Sequence, residues 1–307
     1  MAFLNMLPGA IAQGLIWGLV AIGVYISFKI LDIADLSVDG SIVTGGCVCA
    51  VLIVAGVPAW IAMIAAFFAG ALAGMLTGLL HTALGIPAIL AGILTQLLLY
   101  SVNLAILGGK SMETVSRLNY DLLLTMYDNI GAIFVGILII AAMITVLWLF
   151  FYTEVGLTLK STGDNPDMSR AQGINVNFNK VLGLAISNGI VALAGALLAQ
   201  YNGAISLGDG RGAIVIALAA IFIGLSVSLK IKPNFVVSLI GVVGGAIVYF
   251  MIFSLVLLLG IKTDYLKMLS AIIVAVFLAV PYLKATYFTR PKPLPLPEEN
   301  AGGEENA

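Results

Sequence analysis

The sequence predicts an all-α, polytopic membrane protein of about nine (eight to ten) transmembrane helices, and three observations carry that expectation. Hydrophobic residues fill 61% of the 307 positions and charged ones only 9%. Soluble domains carry about 25% charged residues, so a water-soluble enzyme is excluded. Charge is also unevenly placed, because Ser41 to Gly109 is a run of 69 residues without Asp, Glu, Lys or Arg. A bilayer core of ~30 Å takes about 20 apolar residues per helix, which gives that run room for three spans.

Taken in order, apolar runs bounded by charges and turn residues place spans near 10–28, 41–57, 59–80, 86–107, 131–152, 178–200, 213–229, 235–260 and 266–283. Breaks fall at Pro58, at Gly85-Ile86-Pro87 and at Lys232-Pro233-Asn234, where turn chemistry belongs. The first span lacks the positive start of a cleavable signal and is expected to stay. Cys47 and Cys49 fall in the second span, two apart and facing different directions, so they are read as packed side chains, not as a disulfide. Gly70, Gly74 and Gly78 share one face of the third span, and Gly14/Gly18 and Gly241/Gly245 repeat the spacing. Such faces let helices approach closely in lipid.

Positive residues set the orientation. The 153–180 connection holds Lys160, Arg170 and Lys180, the 229–234 turn holds Lys230 and Lys232, and the tail holds Lys284, Arg290 and Lys292. Alternating spans collect these eight on one side, assigned to the cytoplasm together with the C-terminus. Nine spans leave the N-terminus outside; a broken or re-entrant segment hidden in 29–40 would move it inside. Residues 1–284 form the membrane domain, and the Pro-rich, acidic stretch 285–307 is expected to be a disordered cytoplasmic tail.

Catalytic equipment is thin. His81 is the only histidine, no Cys/His metal spacing exists, and no Gly-x-Ser-x-Gly elbow occurs. No metal, cofactor or nucleic-acid partner is implied. Gly109-Lys110-Ser111 is not a phosphate loop, since Leu104 stands where that motif needs glycine. The nine spans contain no acid, which argues against a stand-alone carrier or channel driven by an ion gradient. Asp32, Asp35 and Asp39 precede the second span and read either as a solvated loop or as a broken helix beside a transport path. Gln96, Tyr100 and Asn103 share one face of the fourth span. With Asp39 and Asn188, they are candidates for lining a substrate pathway, or else for hydrogen bonding between helices.

The connection 153–177 is the most informative stretch. Asp164 or Asn165 can cap a helix whose first residue is Pro166, Asp167 suits its first turn, and Gly173 suits its end. A helix of about two turns near 166–172 follows, rigid enough for a partner to push on.

Gly163-Asp164-Asn165-Pro166 followed by Ala171-x-Gly173-Ile174-Asn175-Val176 resembles the cytoplasmic coupling segment of ABC-importer permeases of the branched-chain amino acid and ribose type. Ile30-Leu31-Asp32-Ile33-Ala34-Asp35-Leu36-Ser37-Val38-Asp39-Gly40-Ser41 resembles the approach to the second span in a subgroup linked to aromatic amino acid uptake. Gly208-Asp209-Gly210-Arg211-Gly212 leading into Ala217–Gly224 resembles that family's Gly-rich loop and following span. The resemblance implies a coupling segment over 160–177, with Gly163, Asp164, Asn165, Pro166, Asp167, Arg170 and Gly173 meeting a separate ABC ATPase subunit. It further implies an extracytoplasmic substrate-binding protein, a second permease copy (a homodimer), and an amino acid or similar small polar solute. Ser37-Val38-Asp39-Gly40 and Leu207-Gly208-Asp209-Gly210 precede spans of opposite direction, as an inverted repeat would require.

Overall fold

The computed structural model describes residues 2–116, 119–228 and 234–258, together with positions 268, 271, 272, 274, 275 and 279. Helix α1 (Ala2–Tyr25) runs into a π-helical turn (Ile26–Ile30) and an irregular stretch, and α2 (Val38–Val54), α3 (Ala59–Thr82) and α4 (Ala88–Ile106) follow. Then come strand β1 (Met112–Thr114), α5 (Asn129–Phe151), α6 (Glu154–Asp164), α7 (Pro166–Ala171), α8 (Val176–Asn202), strand β2 (Ala204–Ser206), α9 (Ala213–Ser228) and α10 (Phe235–Leu258). The first eight expected spans each correspond to one of these helices, whereas most of the ninth, 266–283, and all of the tail lie outside the described residues.

Six helices among the described residues are long and apolar enough to cross a membrane. The other two apolar helices are shorter, 17 residues in α2 and 16 in α9, and both begin inside the bundle. Contacts along α8 fix this depth. Ser187 donates to the Gly23 carbonyl of α1 at 2.8 Å, and Asn188 meets Asp35 at 2.7 Å. Higher up, Gly195 packs on the Ile42 backbone and Gln200 Nε2 reaches Cys49 Sγ at 3.5 Å. The chain leaving α1 therefore turns back into the bundle before α2 starts. The stretch 203–212 does the same from the opposite end, since Gly210 abuts the Asp39 carbonyl.

The glycine faces are the seams of this bundle. Gly70 and Gly74 of α3 lie against backbone of α8 at Asn188 and Leu184, while Gly14 and Gly18 of α1 face Ile247 and Val243 of α10. Gly245 of α10 meets the Ala220 carbonyl of α9, and Gly224 meets Gly241. A side chain at any of the backbone contacts would force the helices apart, which in lipid removes the close packing that holds them. The triplets α1–α2–α3 and α8–α9–α10 thus use one plan in opposite directions: a long helix, a re-entrant stretch, a short helix starting at depth, and a long return helix packed on the other triplet's first member. Cys47 and Cys49 are buried free thiols.

Candidate functional site

The first part of the site is the re-entrant stretch 31–37. Irregular backbone at membrane depth needs internal partners, because lipid offers none. Here Asp35, 2% exposed, supplies them. Its Oδ1 accepts from the Ser37 backbone N–H at 2.8 Å and lies 2.6 Å from the Ser37 hydroxyl. Its Oδ2 accepts from Asn188 Nδ2 at 2.7 Å, and the same amide nitrogen donates to the Leu184 carbonyl at 3.0 Å. Asp32 adopts φ 54°, a left-handed conformation that Asp tolerates better than most residues. Residues 31–37 thus form an irregular, largely buried break between α1 and α2 and not a solvated loop.

Asp39 stands in the first turn of α2. Its two carboxylate oxygens accept from the backbone N–H groups of Gly212 and Ile214, at 2.9 and 3.0 Å. One short helix therefore caps the start of the other, because the first N–H groups of α9 have no intrahelical acceptor. Beside this junction lies a cavity of about 230 Å³. Asp39, Gln96, Tyr100 and Asn103, four of the five candidate pathway residues, line it together with Leu207 and Arg211. Asn103 is 1% exposed and its Oδ1 accepts no hydrogen bond. The fifth candidate, Asn188, sits apart from this cavity in the Asp35 network. The sequence pattern singles out the Gly-rich loop around Arg211 but not Arg211 itself as a pathway candidate; the glycines around it are the signal of a backbone that dips inward.

The second part is the α6–α7 unit, at the bundle end where α1 finishes. Thr153 caps α6, accepting from the Gly156 N–H at 3.3 Å, so most of the connection expected before Pro166 is helical. Asn165 caps α7, taking the Met168 N–H at 3.0 Å, and Pro166 occupies the first turn. At the other end Gly173, with φ 81°, lets its own N–H reach the Arg170 carbonyl and that of Ile174 reach Ser169, both at 3.0 Å. That is the two-bond glycine termination of a helix.

Between these caps α7 is held from beneath. Ser169 is buried and lies 3.0 Å from the Ser161 hydroxyl, and Asn179 donates to Thr162 at 2.9 Å, tying α6 to α8. Gly163 presses directly on the Ile30 carbonyl, and any side chain there would overlap it. Asp167 and Arg170 pair at 3.2 Å on the outside, and Met168 is 59% exposed. Gly163, Asp164, Asn165, Pro166, Asp167, Arg170 and Gly173 thus fall on one continuous unit. His81 lies near it, its Nδ1 2.8 Å from the Ile86 carbonyl and its Nε2 3.3 Å from Lys180 Nζ.

Comparison with known proteins places the chain as a whole in a family. Residues 6–280 match the family described as branched-chain amino acid transport system / permease component. The tyrosine transport system permease protein of Clostridioides difficile is 35% identical over 267 residues, covering 87% of this chain and 88% of that one. The autoinducer 2 import system permease protein of Escherichia coli is 32% identical over 252 residues, covering 79% and 70%. Among solved structures, "PsaBC from Streptococcus pneumoniae in complex with Fab" has a TM-score of 0.49 at 18% identity, covering 93% and 95%. On the family match and the sequence relatives, the chain belongs to the branched-chain amino acid transport permease family, the multi-pass membrane components of ABC-type import systems.

Proposed function

We propose that this chain carries an amino acid or similar small polar solute across the cell membrane, driven by a separate ATPase subunit that grips the α6–α7 unit. In this reading α7 and the C-terminus are cytoplasmic, an extracytoplasmic binding protein delivers solute to the opposite end, and two copies of the chain form the pathway. The observation that carries the proposal is the contact of Gly163 with the Ile30 carbonyl. Ile30 closes the π-helical turn, seven residues before Ser37, and the stretch between them leads straight to Asp39 at the cavity. A push on α7 is transmitted through α6 to the break, where the backbone already departs from regular helix and can yield. The glycine seams provide smooth faces along which whole helices can shift.

Chemistry points the same way. The chain has no nucleotide motif, and a transporter without its own energy source needs one in a partner. The tyrosine-system relative supports an amino acid as cargo, while the autoinducer-system relative shows that solutes of other kinds are carried by similar chains. The test is a pull-down of the ATPase subunit by the tagged permease. Arg170→Glu reverses the charge on the exposed face, and Gly173→Trp places a bulky side chain at a φ that favours glycine. Both should abolish association while the permease remains monodisperse; unchanged association would overturn the docking claim.

A further inference from the structure

We infer that the cavity beside the α2–α9 junction binds the zwitterionic head of an α-amino acid, with Arg211 taking the carboxylate and Asp39 and Asn103 taking the ammonium. The inference rests on the transport reading above and names what that reading leaves open, the group recognised within the membrane subunit itself.

Opposite charges line one small cavity without neutralising each other. Asp39 spends its carboxylate on two backbone N–H groups. Arg211 is in neither of the two ion pairs found among the described residues, Lys110–Glu113 and Arg170–Asp167. Arg211 is exposed at the edge of the cavity, so its guanidinium is open to a ligand that enters there. Its planar fork matches a carboxylate through two parallel hydrogen bonds.

Asn103 supplies the independent observation. Its side-chain oxygen is buried, borders the cavity and has no donor. A buried acceptor without a partner is expensive, and an ammonium group has three donors to offer. Asp39 keeps lone pairs free on each oxygen for the same group, since a carboxylate has about four acceptor sites.

The two ends favour a ligand that carries both charges. An inorganic or organic anion would meet the Asp39 carboxylate, and a plain amine would leave Arg211 unanswered. A dipolar ion satisfies both. Tyr100 and Leu97 add apolar wall, suited to a side chain, and the volume of about 230 Å³ limits the ligand to a small molecule.

The experiment measures ligand-induced thermal stabilisation of the full-length permease, purified in detergent and without a binding protein. It uses the twenty proteinogenic L-amino acids, then the decarboxylated amine and the deaminated acid of whichever stabilises most. At least one amino acid should stabilise, and its amine and its acid should each bind at least tenfold more weakly. Arg211→Gln should weaken binding by tenfold or more, Arg211→Lys should restore part of it, and Asn103→Leu should weaken it several-fold. The inference is overturned if no amino acid stabilises the wild type, if amine or acid binds as well as the parent, or if Arg211→Gln binds like wild type. Co-purification of the ATPase, measured on the same preparations, reports on the transport reading separately. Loss of that association with amino acid binding intact would sink the reading and leave this site standing.

Discussion

Asn165 offers the most direct way to test whether the exposed helix α7 acts through its own rigidity. Six residues are far too few to hold a helix in water, where isolated helices under about 12–15 residues are marginal. The caps must therefore contribute a large share of its stability. The Asn165 side chain satisfies the Met168 N–H at 3.0 Å, and its backbone carbonyl accepts from Ser169 at 3.1 Å. Alanine removes the first bond and keeps the second. Losing an N-cap side chain costs about 1 kcal/mol, which is roughly fivefold in an equilibrium constant at 1.4 kcal/mol per decade. If the ATPase binds only the formed helix, Asn165→Ala should raise its Kd by up to roughly fivefold in a titration against the purified permease. Asn165→Asp keeps an acceptor at the cap and adds a charge that the helix N-terminus favours, so its affinity should match or exceed wild type. Two results refute the reasoning. An unaltered Kd for the alanine variant means the cap does not limit binding, and equal weakening of both variants means the side chain touches the partner instead of capping.

Other expected outcomes follow from the same contacts. Gly163→Ala forces a methyl group onto the Ile30 carbonyl; overpacking of this kind costs about 1–3 kcal/mol, and α6 must lift away from the break. ATPase association should persist while solute uptake falls, and a variant with full uptake would show that this contact carries no motion. Gly74→Leu drives a side chain into the Leu184 backbone at the α3–α8 seam, so the purified protein should aggregate or migrate as misfolded material in size-exclusion chromatography. A monodisperse Gly74→Leu variant would mean that seam is looser than the close approach implies.

Much of this architecture was legible because lipid makes strong demands on composition. Eight runs of apolar residues gave eight helices, and Asn165-Pro166 with Gly173 announced both ends of α7. What stayed hidden has particular causes. Helix α6 is hidden because it lies within the polar connection 153–177, where no apolar run announces it; its Gly156 and Gly163 sit where neighbouring backbone leaves no room for Cβ, at Phe150 and Ile30 respectively. The depth at which α2 and α9 begin cannot be seen in hydropathy, because a helix wholly buried among others is as apolar as one that spans. Asp39, Gln96, Tyr100 and Asn103 converge because the 4- and 3-residue steps of α4 meet the first turn of α2. Asn188, chosen on the same polar-residue logic, serves Asp35 instead, a pairing of residues 153 apart in sequence that no local pattern could reveal.

Asp35 also bears on the energy source. The absence of acids from the apolar runs counts against ion coupling, but Asp35 is buried inside the bundle all the same, and an intramembrane carboxyl group is the usual mark of a proton or ion path. Its surroundings argue for a structural role. Three donors from two residues converge on it, Ser37 N, Ser37 Oγ and Asn188 Nδ2, and both oxygens are occupied. Asparagine at this position replaces one acceptor by an NH₂ group that faces a donor. The loss is about 1–3 kcal/mol by the cost of an unsatisfied buried group, reduced toward the ~0.6 kcal/mol average of membrane hydrogen bonds if the network rearranges. Asp35→Asn should therefore lower the thermal stability of the purified permease, and uptake by the complete transporter should fall only as far as folded protein does. The permease alone in proteoliposomes should accumulate no amino acid under an imposed proton gradient. If it does, and Asp35→Asn abolishes that accumulation at unchanged stability, the carboxyl group is a coupling site and the chain carries its own engine.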